Sequence, residues 1–177
     1  LGCAELSPLH RLDRATAGVV LFARHPATRG VYQNLFRDRV VEKRYEALAP
    51  PLPGRMFPLE YASRLERHAD GFRSQEVAGA PNAHTRIEVI ERGPGLWRYA
   101  LYPRSGQMHQ LRAQMSALGA PIVNDGWYPT AQPSGPDDYS RPLQLLAQRV
   151  SFVDPVTGEL REFCSRLCLA GFESAPD

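Results

Sequence analysis

One residue type is all but missing from this chain. Lys43 is the only lysine among 21 basic residues, so its cationic character comes almost wholly from arginine. Arginine forks suit planar recognition of phosphates and bases, although codon bias in a GC-rich genome yields the same composition. No apolar run approaches the roughly 20 residues that a membrane-spanning helix needs. No signal-peptide pattern, internal repeat or low-complexity tract is recognisable. The chain opens at Leu1-Gly2-Cys3 without an initiator methionine, so a further segment is expected upstream. Cysteine is scarce too: Cys3, Cys164 and Cys168 make an odd count with no ligand cluster beside them. That argues against a disulfide framework and a zinc site, and for reduced thiols in a cytoplasmic protein.

The 177 residues, 43% of them hydrophobic, suit one compact domain over 1–177 with a substantial core. A net charge of +2 and a pI near 8.6 permit nucleic-acid binding without requiring it.

Short alternating segments dominate. Val19 to Ala23 is a β-branched run that predicts a buried strand. His25-Pro26-Ala27-Thr28 marks a helix start, with the helix expected to about Arg39 and Val31, Leu35 and Phe36 facing inward. From Val41 to Leu48, Lys43, Tyr45 and Ala47 share one face while Glu42, Arg44 and Glu46 share the other. The all-charged face is expected to be solvated, which turns Tyr45 toward the protein or a cleft. Residues 58–66 predict a strand and 67–82 a polar loop or hairpin. The stretches 84–90 and 96–102 alternate around Arg92-Gly93-Pro94-Gly95, the clearest hairpin in the chain. Gln107 to Leu118 predicts a helix with an apolar stripe of Met108, Leu111, Met115 and Leu118, stopped by Gly119. Residues 121–123 and 145–152 predict strands separated by a long Pro/Gly/Ser-rich loop, and a last strand begins at Leu160. The fold class is therefore α+β, a mixed, mainly antiparallel sheet with a few packed helices.

Two charged residues stand out. Asp13 lies between Arg11 and Arg14 on an irregular segment before an apolar strand, a place from which a carboxylate can act in a cleft. The same residues also suit a surface aspartate paired with a neighbouring arginine. Arg112 falls roughly 80° from the centre of its helix's stripe, at about 100° per residue, with His109 nearly opposite the stripe. A guanidinium on that boundary is partly desolvated and wants an anion; equally, its stem could cover the core edge while its head reaches water. Tyr45 likewise suits an ordinary core tyrosine.

Several segments resemble, in order, the motifs of the RluA-type pseudouridine synthases. His10-Arg11-Leu12-Asp13-Arg14-Ala15-Thr16-Ala17-Gly18 is similar to His-Arg-Leu-Asp-x-x-Thr-Ser-Gly. Lys43-Arg44-Tyr45-Glu46-Ala47 is similar to Lys-x-Tyr-x-Ala. Gly106-Gln107-Met108-His109-Gln110-Leu111-Arg112 resembles Gly-Arg-x-His-Gln-Leu-Arg, and Leu118 to Asp125 resembles Leu-Gly-x-Pro-Ile-x-Gly-Asp. Leu145-Leu146-Ala147 and Phe152 to Glu159 resemble the closing Leu-His-Ala and Phe-x-His-Pro-x-Thr-Gly-Glu. Five positions depart: Ala17 for Ser, Gln107 for Arg, Asn124 for Gly, and Leu146 and Asp154 for His. Gln107 removes a positive charge from the expected RNA face.

The resemblance implies the pseudouridine synthase fold, a mostly antiparallel sheet with a catalytic cleft along it, and a family domain whose N-terminal portion lies outside this chain. It implies an isomerase acting on uridines of structured RNA, rRNA or tRNA, without cofactor or metal; a monomer is expected, in the cytoplasm that the cysteine usage suggests. It puts the catalytic carboxylate on Asp13, a base-packing tyrosine on Tyr45 and the aspartate's arginine partner on Arg112. Arg11, Arg14, Thr16, His109 and Gln110 become candidate substrate contacts. The target uridine would leave its stack to reach Asp13. Whether the aspartate attacks the sugar or the base, or abstracts a sugar proton, stays open. A non-catalytic RNA-binding relative is the alternative, though binding alone does not call for all three residues. The catalytic reading predicts a carboxylate oxygen of Asp13 within roughly 4 Å of the Arg112 guanidinium, with the Tyr45 ring alongside.

Overall fold

The computed structural model describes residues 5–131 and 140–172. Ten strands and two helices are assigned among them: β1 (Ser7–Pro8), β2 (Ala17–Gly18), β3 (Phe22–Ala23), α1 (Pro26–Arg37), β4 (Glu42–Ala49), β5 (Leu59–Arg67), β6 (Ser74–Val77), β7 (Ala83–Arg92), β8 (Trp97–Pro103), α2 (Gln110–Ala117), β9 (Leu145–Val153) and β10 (Leu160–Cys164). The main sheet runs β10-β9-β4-β8-β7-β5-β6 with antiparallel neighbours throughout, and β2 adds a short parallel pairing to β9. The expected α+β class, mainly antiparallel, is the class observed.

Residues directly opposite on paired strands share a sheet face. Tyr45 opposes Leu101, and Ala47 opposes Tyr99 and Leu145, so these form one apolar face. Leu111 and Met115 of α2 close that face into the main core with Ile87, Ile122 and Leu143. A second cluster forms where Val150 and Phe152 of β9 meet Tyr32, Leu35 and Phe36 of α1.

The opposite face carries ion pairs and corrects one expectation. Glu46 is buried rather than solvated, its carboxylate held by Arg98 at 2.6 Å and Arg44 at 3.0 Å. Alternation predicted its side of the sheet correctly, but the two guanidinium groups laid over it remove it from water.

Other boundaries shift for local reasons. Of the expected strand at 19–23 only β3 (Phe22–Ala23) forms, with Val20 and Phe22 exposed, and Gly18 just before that span takes a φ of 116°. In α1, Val31 is exposed and Tyr32 takes its place in the cluster. Residues 121–123 form no strand, although Val123 exchanges single backbone bonds with Leu48 and Gln144. The second helix starts at Gln110, not Gln107, because His109 adopts a left-handed conformation (φ 51°) immediately before it. The 67–82 segment is a hairpin in which β6 pairs with β5. Cys164 and Cys168 are exposed free thiols, and Cys3 lies outside the described residues.

Candidate active site

Residues 9–21 form a loop clamped at both ends. Its stem is the β1–β3 pairing, reinforced by the Leu9 N–H donating to the Leu21 carbonyl. His10 Nε2 accepts the Leu21 N–H at 3.1 Å, and its ring stacks on Phe36 at 4.7 Å. Burial lowers the His10 pKa, a nearby Lys43 charge lowers it further, and a hydrogen bond involving the Arg11 backbone opposes them. At the far side Gly18 lies against β9. A Cβ there would sit 2.2 Å from the Ala147 carbonyl oxygen, so no larger residue fits without displacing the strand. The Thr16 N–H donates to the Asp13 carbonyl and closes the turn that presents the Asp13 side chain.

That side chain enters a cleft of about 530 Å³, within the range of small-ligand sites. Arg11, Thr16, Tyr45, His109, Gln110 and Arg112 also line it, as do Arg39 and Lys43. Arg14 is exposed and outside the lining. The charged groups lining the cleft, among the described residues, are thus four cations, Arg11, Arg39, Lys43 and Arg112, and one carboxylate, Asp13. Among the described residues no three His, Cys, Asp or Glu side chains gather as a metal ion would require.

Asp13 Oδ2 lies 3.7 Å from Arg112 Nη1, with 20% of the aspartate side chain exposed. The arginine itself is buried, at 3% exposure, rather than on the flank of the core. Its principal partner is another carboxylate. Nε and Nη2 of Arg112 donate to the two oxygens of Asp125 at 2.8 and 2.6 Å, a bidentate pair whose aspartate side chain has no exposure. Asp125 Oδ1 also accepts the Trp127 and Tyr128 N–H groups. The guanidinium lies over the Tyr128 ring at 5.5 Å. Burial opposes the Arg112 charge, and the Asp125 hydrogen bonds and charge, with Asp13 behind them, outweigh it and raise its pKa. Asp125 therefore fixes one edge of the fork and leaves Nη1 directed at Asp13.

The other candidates take different positions. Tyr45 lines the cleft, and burial, then the Asp13 charge, push its pKa up to about 12. His109 does not point away from the site as a longer helix would require; it sits edge-on to Tyr128 at 5.9 Å, its pKa lowered first by burial and then by Arg112. Gln110 is engaged inside the protein. Its Oε1 accepts from Ser105 Oγ and the Gln107 N–H, and its Nε2 donates to the His84 carbonyl and Thr85 Oγ1. It shapes the cleft wall and has little capacity left for a substrate.

Asp125 and Tyr128 received no role from the sequence, although Asp125 closes a quoted motif. Lys43 is a third: its Nζ donates to the Ser105 carbonyl at 3.3 Å, and burial, then Arg39, lower its pKa. Three of the five motif departures have a local setting in the fold. Asn124 occupies a left-handed position (φ 61°), which asparagine tolerates best after glycine. Leu146 is buried in β9, and Asp154 caps the 154–158 turn through the Val156 and Thr157 N–H groups.

The family model described as RNA pseudouridylate synthase matches residues 2–117. The chain belongs to that family. The family's reaction, uridine to pseudouridine within RNA, makes it an isomerase. It is 32% identical over 169 residues to the dual-specificity RNA pseudouridine synthase RluA of Haemophilus influenzae, covering 88% of this chain and 71% of that protein. It is 33% identical to tRNA pseudouridine synthase C of Vibrio parahaemolyticus, covering 86% and 68%. An uncharacterized RNA pseudouridine synthase of Haemophilus influenzae is 31% identical over 120 residues, of which this chain spans 53% of the length. Among solved structures, human RNA pseudouridylate synthase domain containing 1 superposes with a TM-score of 0.74 at 26% identity, over 91% of this chain and 69% of that one.

Proposed function

We propose that this synthase isomerises uridines in structured tRNA or rRNA with Asp13 as its catalytic carboxylate. The observation that carries the reading is the pairing at the cleft floor. Asp13 is the one carboxylate among the cleft's charged groups, 3.7 Å from a buried arginine that cannot leave because Asp125 holds it. An opposite charge that close favours an ionised, oriented carboxylate, the form needed as nucleophile or base. The surplus of cations suits a polyanionic substrate. Such a substrate reaches Asp13 only by flipping its uridine from the stack, and Tyr45, held neutral, packs against the flipped base. Arg11 and Thr16 contact the nucleotide from the Asp13 loop, His109 from the opposite wall, and Arg14 the RNA outside the cleft.

In the reaction the glycosidic bond from C1′ to N1 breaks, the uracil turns, C1′ bonds to C5, the C5 proton is released to solvent, and N1 takes up a proton in its place. Tritium release from RNA carrying 5-tritiated uridine therefore measures turnover. Asp13→Asn keeps the shape and removes the charge, so release should vanish while RNA affinity and melting temperature stay near wild type. Substantial residual release would remove Asp13 from the mechanism.

A further inference from the structure

The hairpin between β5 and β6 carries a largely exposed aromatic side chain. Phe72 is 68% exposed, and its loop is held by several hydrogen bonds. Asp70 Oδ1 accepts the Phe72 and Arg73 N–H groups at 2.9 and 3.2 Å, and Asp70 Oδ2 accepts Arg73 Nε at 2.8 Å. Gly71 takes a φ of 75°, and the His68 N–H closes the loop on the Arg73 carbonyl. One face of the Phe72 ring stacks on Trp127 at 6.0 Å and 27°. The loop thus holds an apolar ring with one face covered by Trp127 and the rest in water.

The loop is also fastened to the rim of the catalytic cleft. Ser74, two residues on, donates its hydroxyl to the carbonyl of Met108, a cleft-lining residue, and its N–H to Tyr128. Trp127 donates its N–H to Asp125, which holds Arg112. At about 3.8 Å per Cα step, Phe72 is within roughly 8 Å of Ser74 along the backbone. Arg67, exposed, stands directly opposite Ser74 across the hairpin, on the same sheet face. A stacking surface and an exposed arginine on one hairpin, hydrogen-bonded through Ser74 to the rim of a cationic cleft, match the makings of a single-stranded RNA site.

We propose that Phe72, backed by Trp127, stacks an unpaired base flanking the uridine in the cleft, with Arg67 near that nucleotide's phosphate. The site deepens the proposed function, since it takes RNA as the substrate. It needs no chemistry from Asp13, so the two can fail separately.

The probe is single-stranded oligouridylate, with affinity read by fluorescence anisotropy on the full chain. Phe72→Ala should weaken binding about tenfold, and Phe72→Trp should restore it, because an aromatic face is what the base needs. Arg67→Gln should flatten the salt dependence of binding. Tritium release at subsaturating RNA should fall in step with affinity in Phe72→Ala and recover in Phe72→Trp. Equal affinity of wild type and Phe72→Ala would overturn the proposal, as would a loss that Phe72→Trp does not restore. Unchanged RNA affinity with a shift in oligomeric state would assign Phe72 to contact with a second copy instead. Weakened oligouridylate binding in Phe72→Ala together with undiminished tritium release by Asp13→Asn would refute the Asp13 reading and leave the stacking site standing.

Discussion

Removing Asp125 is the sharpest test of how the site is held. Its side chain has no exposure, the Arg112 side chain has 3%, and two charge-assisted hydrogen bonds of 2.6 and 2.8 Å join them. Deleting one partner of such a pair strands the other charge in the interior, at a cost of about 3–5 kcal/mol. Asp13 lies 3.7 Å from Nη1 and is partly solvated, so it compensates only in part and the lower end of that range applies. Asp125→Ala should therefore destabilise the protein by ~3 kcal/mol, a large share of the 5–15 kcal/mol typical of a folded domain. For a chain of this size that is a melting-temperature drop of roughly 6–12 °C. Urea unfolding at constant m reads the energy directly. A double-mutant cycle isolates the pair: Arg112→Met should be less harmful in the Asp125→Ala background than in wild type, by ~2 kcal/mol or more. Strict additivity, or an Asp125→Ala variant within about 1 kcal/mol of wild type, would refute the pairing as the anchor of Arg112.

Three further outcomes follow from the loop, its clamp and the buried ring. Gly18→Ala combines a positive φ with a Cβ 2.2 Å from the Ala147 carbonyl oxygen, so it should cost at least ~2 kcal/mol and lower single-turnover rate by displacing the Asp13 loop; unaltered urea unfolding would contradict the contact. Because burial lowers the pKa of His10 and of His109, the unfolded chain takes up protons first, and stability should fall as pH drops below their ordinary value of 6.5. A His10→Phe variant should lose part of that slope, measured as urea midpoint against pH. Tyr45, with its pKa raised to about 12, has the opposite sign: its contribution is full below 10, the unfolded value, and is lost as pH rises toward 12. Tyr45→Phe should reduce alkaline destabilisation in the same measurement while slowing turnover, and full specific activity with lowered stability would return the ring to a purely structural part.

Local patterning determined much of this protein. Alternation in 43–47 placed Tyr45 on the inner sheet face, and the Arg92–Gly95 turn flanked by alternating residues predicted the β7–β8 hairpin, because both depend on a two-residue period and a few residues' backbone preferences. Ordered motifs led to Asp13 and Arg112 as one site. What tertiary structure alone decided was which charges meet. Helical projection put Arg112 on a boundary and His109 opposite it, but a left-handed residue at 109 starts the helix three positions late, and packing of α2 on the sheet buries the arginine. Glu46 lost its solvent to Arg98, 52 residues away in sequence, and Arg112 took Asp125 as first partner and Asp13 as second. Residue types announce that a charge needs a counter-charge; the closing of distant segments selects among the available carboxylates, because only the folded chain sets their distances and their exposure to water.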